Sequence, residues 1–166
     1  MNKKLGIVSL LLAGLLSMTA AMASNSLYMK VPGITVSSTD IHYEGWIDVS
    51  SFSLGYQKAT CESLSVTKGL DLTSPALTVA AVAGTFYPTV TLVSVRNGER
   101  PYEEFRLKLF NAAVISVQQS GSSATPTESL SFQPTSVEVT YIPVSEDGRP
   151  MNPVVSTVDC QTVRVK

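Results

Sequence analysis

A chain of 166 residues, 44% hydrophobic and 15% charged, with 12 Lys and Arg against 13 Asp and Glu, carries a net charge of only −1. With no basic run or stripe, the counterion-release term that drives DNA or RNA binding has no source, so nucleic acid is not an expected partner. The length is one domain's worth, enough to bury about two-thirds of the surface the unfolded chain would expose.

The first 23 residues read as an export signal, a segment apart from the fold. Lys3 and Lys4 form a basic n-region, Leu5 to Leu16 an apolar h-region, and Ala21-Met22-Ala23 a small-x-small cleavage site. Cleavage between Ala23 and Ser24 leaves a single domain over 24–166, with a net charge of −3 because Lys3 and Lys4 depart with the signal. The apolar run is well short of the roughly 20 residues a membrane-spanning helix needs. A stable membrane anchor is therefore not expected, and with no Cys at the cleavage site a lipoprotein is not expected either. Export places the protein in the periplasm or the medium.

In chain order, strands are expected over Leu27 to Val31 and Trp46 to Gln57, and then where Leu64 and Val66 alternate with Ser63, Ser65 and Thr67. Ser74 as N-cap, Pro75 at the first helical position, an apolar face of Leu77, Ala80 and Ala81, and Gly84 at the end predict one helix of about two and a half turns. Strands resume at Thr89 to Val95, at Phe105, Leu107 and Leu109 alternating with Glu104, Arg106 and Lys108, and at Ala113 to Gln119. They continue at Glu128 to Phe132, at Val137, Val139 and Tyr141, and at Cys160 to Val165. Turns fall at Asn97-Gly98, Gly121-Ser122-Ser123 and Asp147-Gly148. The expected fold is mainly β, a small β-barrel of two packed sheets with one short side helix, since closure removes exposed strand edges. A two-sheet sandwich is the alternative.

Cys61 and Cys160 are the only thiols. In an oxidising compartment an even pair reads as a disulfide, against the alternative of two separate buried thiols. Such a bridge would tie an early strand to the C-terminal one. It would be structural, because neither Cys sits in a Cys-x-x-Cys pair or beside a basic residue.

Chemistry is poorly supplied. His42 is the lone histidine, with Asp40 and Glu44 at two-residue spacing. Same-face neighbours on one strand lie about 6 to 7 Å apart, awkward for three ligands on one ion, so a solvated polar segment is the better reading. Glu103 and Glu104 are adjacent and point to opposite faces of a strand. No Gly-x-Ser-x-Gly elbow and no glycine-rich phosphate loop occurs. Trp46, Phe52 and Tyr56 could form an aromatic sugar-binding surface, but their even spacing reads more simply as one buried strand face. No catalytic, cofactor or metal site is expected, and the chain is not read as an enzyme.

Several blocks together resemble the haemolysin-coregulated protein (Hcp) family, the tube subunit of type VI secretion. They are Leu27-Tyr28-Met29-Lys30-Val31-Pro32-Gly33-Ile34, Glu44-Gly45-Trp46-Ile47-Asp48-Val49 with Ser51-Phe52-Ser53-x-Gly55, and Ser65-Val66-Thr67-Lys68-x-x-Asp71-x-x-Ser74-Pro75-x-Leu77. Pro126 to Phe132, followed by Val137-Glu138-Val139-Thr140-Tyr141, completes the set. The resemblance implies a β-barrel with a side helix that forms six-membered rings, which stack into a tube, with secretion-apparatus or effector proteins as further partners. It also implies that the loop from Thr35 to Tyr43 reaches the neighbouring ring, with Thr35, Val36, Ser37, Ser38, Thr39 and Asp40 as contacts. The connections Phe86 to Pro88 and Ser120 to Thr127 are further candidates for meeting neighbours. Two features depart from the family pattern. The usual Gly-Glu-Ser after the opening strand is missing, which leaves rings without tubes open, and family members normally carry no cleavable signal. A start at Met22 would give an ordinary family opening and cytoplasmic assembly before secretion. An exported β-barrel that binds a ligand or partner protein is the alternative function.

Overall fold

The computed structural model describes residues 24–34, 38, 40–58, 60–123 and 125–160. The export signal up to Ala23 lies outside them, as do residues 161–165 of the expected last strand. β1 (Asn25–Lys30) pairs antiparallel with β2 (Ile47–Val49) on one side and β7 (Phe86–Arg96) on the other. β7 continues to β8 (Tyr102–Ser120), β9 (Thr127–Gln133), β6 (Leu64–Gly69) and β3 (Ser51–Ser53). The two ends of this path, β2 and β3, are separated only by Ser50, whose N–H donates to Thr67 O at 2.8 Å. Residues 47–53 therefore bring the sheet round on itself as a barrel.

The interior follows the period-two pattern. Met29, Leu64, Val66, Leu92, Leu109, Leu130 and Phe132 are wholly buried in one cluster. The long segment expected from Trp46 to Gln57 is broken instead into β2, β3 and β4 (Tyr56–Gln57), the last pairing with β5 (Thr60–Cys61) as a separate two-stranded sheet. Ile47 and Val49 face the core, and so do Phe52 and Leu54. This change of parity at Ser50 lets one segment serve β1 and then β6. It also corrects the single aromatic face: Trp46 packs outside the barrel with Tyr28 and Tyr43, Phe52 packs inside with Phe105 (ring centroids 5.9 Å), and Tyr56 is exposed.

Two further expectations are corrected. The strands foreseen at 104–109 and 113–119 are one 19-residue strand, β8. It changes partner midway, pairing with β10 (Ser136–Tyr141) through residues 105–110 and with β9 through residues 113–120. At the junction Asn111 takes φ 45°, a left-handed conformation that Asn tolerates. Phe86 to Pro88 is no connection but the start of β7. Tyr87 and Thr89 pair with Ala112 and Phe110, so Pro88, which has no N–H to give a ladder, sits across from the Asn111 irregularity.

The helix α1 (Ser74–Ala83) begins one position earlier than its caps suggest, with Thr73 at the N-cap. Ser74 is drawn into the helix because its hydroxyl donates to Glu128 Oε1 at 2.8 Å and accepts from the Asp71 N–H at 3.0 Å. Leu77 and Ala80 face the core, and Gly84 closes the helix at φ 62°. β11 (Val154–Asp159) pairs with β10 alone among the described residues. Cys61 and Cys160 are joined by a disulfide with a Cα–Cα distance of 5.1 Å, so the bridge runs from the small β4–β5 sheet to the residue after β11.

Candidate subunit interface

Buried charge is concentrated in one internal cluster at the start of α1. Lys68 and Glu128 occupy inward positions of β6 and β9, directly opposite each other in the ladder, and both are essentially inaccessible to solvent. Lys68 Nζ lies 2.7 Å from Glu128 Oε1 and 2.8 Å from Asp71 Oδ1, and donates to Gly69 O at 2.9 Å. Gln119 Nε2 donates to Glu128 Oε2 at 3.3 Å. Every polar contact is thus used to fix the strand-to-helix turn. Sequence reading placed Lys68 and Asp71 in a family block without seeing the cluster; the available signal was a Lys and a Glu in phase with Leu64, Val66, Leu130 and Phe132.

Burial raises the Asp71 pKa, but hydrogen bonds from Lys68 and Thr73 and the Lys68 charge together outweigh it and hold the carboxyl below its ordinary 3.8. A carboxylate depressed by folding contributes stability that is present above the unfolded value and lost as pH falls through the folded one. Asp71→Asn is therefore expected to melt lower than the parent at pH 7 and to approach it below about pH 3. Melting temperatures recorded from pH 7 to pH 2 check this, and a constant offset across the range contradicts it.

The segment leading to β2 lies against its own barrel. Tyr28 stacks on Tyr43 with ring centroids 4.1 Å apart, and Tyr43 meets Trp46 edge to face at 5.4 Å. The Tyr28 hydroxyl donates to Asp40 Oδ2 at 2.9 Å, and that of Tyr43 to Glu103 Oε1 at 3.2 Å. Burial pushes the Tyr43 phenol well above its ordinary pKa, with the Glu103 charge adding to it. Of the six loop contacts expected, Ser38 and Asp40 are described: Ser38 Oγ donates to Asp48 Oδ1 at 2.7 Å. Thr35, Val36, Ser37 and Thr39 lie outside the described residues.

His42 lines a cleft of about 430 Å³ with Asp40, Tyr43, Tyr102 and Glu103, yet Asp40 and Glu103 are already bound to the two tyrosines. A second cleft, about 520 Å³, sits between the β7–β8 turn and the turn at Asp147-Gly148. Two of its three arginines are paired, Arg149 with Asp147 at 3.1 Å and Arg96 with Glu104 at 3.4 Å. Among the described residues no three His, Cys, Asp or Glu side chains are grouped to hold a metal ion. No described helix is long and apolar enough to cross a membrane.

What the surface does offer is apolar, in two places. Around α1 and its exit, Leu72, Val79, Val82, Phe86 and Ile115 are exposed, Val82 to 87%. On the β10–β11 pair, Tyr141, Val154, Val155 and Val158 are exposed, with Val144 and Met151 on the connection between the strands. β10 lies along the first half of β8, whereas Thr78 of α1 accepts from Gln119 on the second half. The two surfaces thus belong to opposite halves of one bent strand. Unpartnered apolar groups of this extent mark contact surfaces.

A barrel whose buried charges pair with one another and whose surface carries two apolar patches fits a structural protein that works by association. Consistent with this, the profile of the family described as type VI secretion system effector, Hcp, matches residues 28–141. The chain belongs to the Hcp family of type VI secretion, whose members are self-associating tube proteins and not enzymes. No curated protein sequence matches. Among solved structures, Hcp1 from Salmonella typhimurium is similar at a TM-score of 0.76 and 22% identity, over 84% of this chain and 96% of that one. A type VI secretion system effector from Yersinia pestis gives 0.69 and 22%, over 80% and 98%. The secreted protein Hcp3 from Pseudomonas aeruginosa gives 0.66 and 17%, over 84% and 100%. At these identities the shared property is the fold.

Proposed function

We propose that residues 24–166 form an exported Hcp-type subunit that closes six-membered rings, the α1 surface of one copy meeting the β10–β11 surface of the next. The observation that carries this reading is the pair of different apolar surfaces on opposite halves of β8. Two unlike patches suit a head-to-tail contact, which generates rings when the rotation closes. Pairing of two free β11 edges would instead relate copies by a twofold axis and stop at a dimer. Burying Val79, Val82, Phe86, Val154 and Val158 between copies makes the contact one of apolar area, little affected by salt. Secretion-apparatus or effector proteins would meet the finished ring rather than the single subunit.

Export is carried by the Lys3-Lys4, Leu5–Leu16 and Ala21-Met22-Ala23 succession. One preparation tests both parts: protein taken from the periplasm or medium should begin at Ser24 by intact mass, and light scattering should give six times that mass. A Met22 or Ala23 terminus on cytosolic protein supports translation from Met22 and assembly before secretion. A monomer at tens of micromolar overturns the ring and leaves an exported barrel that binds a partner or ligand.

A further inference from the structure

We propose that the Cys61–Cys160 disulfide is a redox latch on the assembly surface: it holds β11 in position for the next copy, and its reduction releases the strand while the barrel remains folded. This rests on the reading that β10–β11 forms one side of the subunit contact.

β11 has no buried anchor of its own, since all six of its residues are exposed. Among the described residues it is held by its ladder to β10 and at its two ends, where Asp159 also has a partner. At the first end, the connection from β10 is tied by the Val144–Pro150 bridge and by the Met151 N–H donating to Pro143 O at 2.8 Å. At the other, the Cys160 N–H donates to Thr135 O at 2.9 Å and Sγ is bonded to Cys61. Cys61 belongs to β5, whose only strand partner among the described residues is β4, and Tyr56, Gln57 and Thr60 of that pair are exposed. The bond therefore joins two marginal elements to one another at the edge of the core, rather than stapling two barrel strands. A strand pair with one uncovered edge and little burial is marginal in water, so removal of an end restraint falls first on β11.

Cys160 is half-buried whereas Cys61 is 5% exposed, so Cys160 is the more accessible of the two. A small dithiol attacks it as the thiolate, the Cys61 sulfur leaves and takes up a proton, and a mixed disulfide forms with Cys160. The reductant's second thiol then displaces Cys160, which is also protonated. Two electrons have moved: both cysteines end as thiols and the reductant as its cyclic disulfide.

The test compares oxidised mature protein, the same protein in dithiothreitol, and a Cys61→Ala, Cys160→Val double variant, by hydrogen exchange and light scattering. The expected result in both reduced forms is that β11 amides exchange at least about tenfold faster while β6 and β9 stay protected over the same minutes. The sixfold mass is expected to fall to that of single subunits. Exchange in β11 within about twofold of the oxidised rate overturns the latch. Loss of protection in β6 and β9 together with β11 also overturns it, because the bond would then be a staple of the whole fold. If the oxidised protein is itself a monomer, the ring reading fails and β11 exchange alone decides the latch.

Discussion

Replacing Glu128 by Leu is expected to lower the free energy of unfolding by about 3 to 5 kcal/mol, the characteristic cost of removing one member of a buried ion pair. Glu128 accepts from Lys68 at 2.7 Å, from Ser74 at 2.8 Å and from Gln119 at 3.3 Å, all within the junction of β6, β9 and α1. Leucine would leave the Lys68 ammonium with Asp71 and Gly69 O only, in a site from which water is excluded. It would also strand the Ser74 hydroxyl that draws the first helical residue into place. Adding Lys68→Met should recover much of the loss, since a pair of apolar side chains no longer carries the desolvation of two charges. Urea unfolding of both variants checks this. A single-variant loss below about 1 kcal/mol would mean that the cluster is solvated enough to behave as a surface pair.

Assembly should fail when charge is placed on either apolar surface. Val79→Glu with Val82→Glu on α1, and Val154→Glu with Val158→Glu on β11, each put two carboxylates where the proposed contact excludes water. Unpaired burial of such groups is costly enough to weaken association by at least about 100-fold. Because all four valines are exposed in the single chain, folding stability should change by only about 0.5 kcal/mol. The head-to-tail geometry adds a sharper expectation. Mixed in equal amounts, the two variants retain one good α1 surface and one good β11 surface between them, so they should form mixed dimers and nothing larger. Light scattering of each variant and of the mixture reads this directly. Rings from either variant alone would remove its surface from the contact.

Most of the barrel was legible because its strands bury one face. Leu64 and Val66, Leu107 and Leu109, and Leu130 and Phe132 alternate with polar residues, and they are the side chains that fill the interior. Legibility ended where burial stops being one-sided. β11, with adjacent Val154 and Val155, shows no alternation since neither of its faces is covered, and it was not foreseen as a strand. The parity change at Ser50 and the partner change at Asn111 depend on which strands lie alongside, information that no local window carries. The glycine cue was read correctly for the end of α1, but Phe86 to Pro88 read as a connection where a strand irregularity accommodates the proline. The proposed interface was the least legible part. Val79 and Val82 look like ordinary helix residues until Leu77 and Ala80 are seen to take the buried side, leaving the opposite side apolar as well.

Electron microscopy of the oxidised mature protein tests the central claim most directly, since it counts copies and shows how they are related. Sixfold rings with a central opening, in which the α1 side of each barrel abuts the β10–β11 side of the next, are the predicted result. Single barrels, or twofold pairs joined edge to edge along β11, would contradict it.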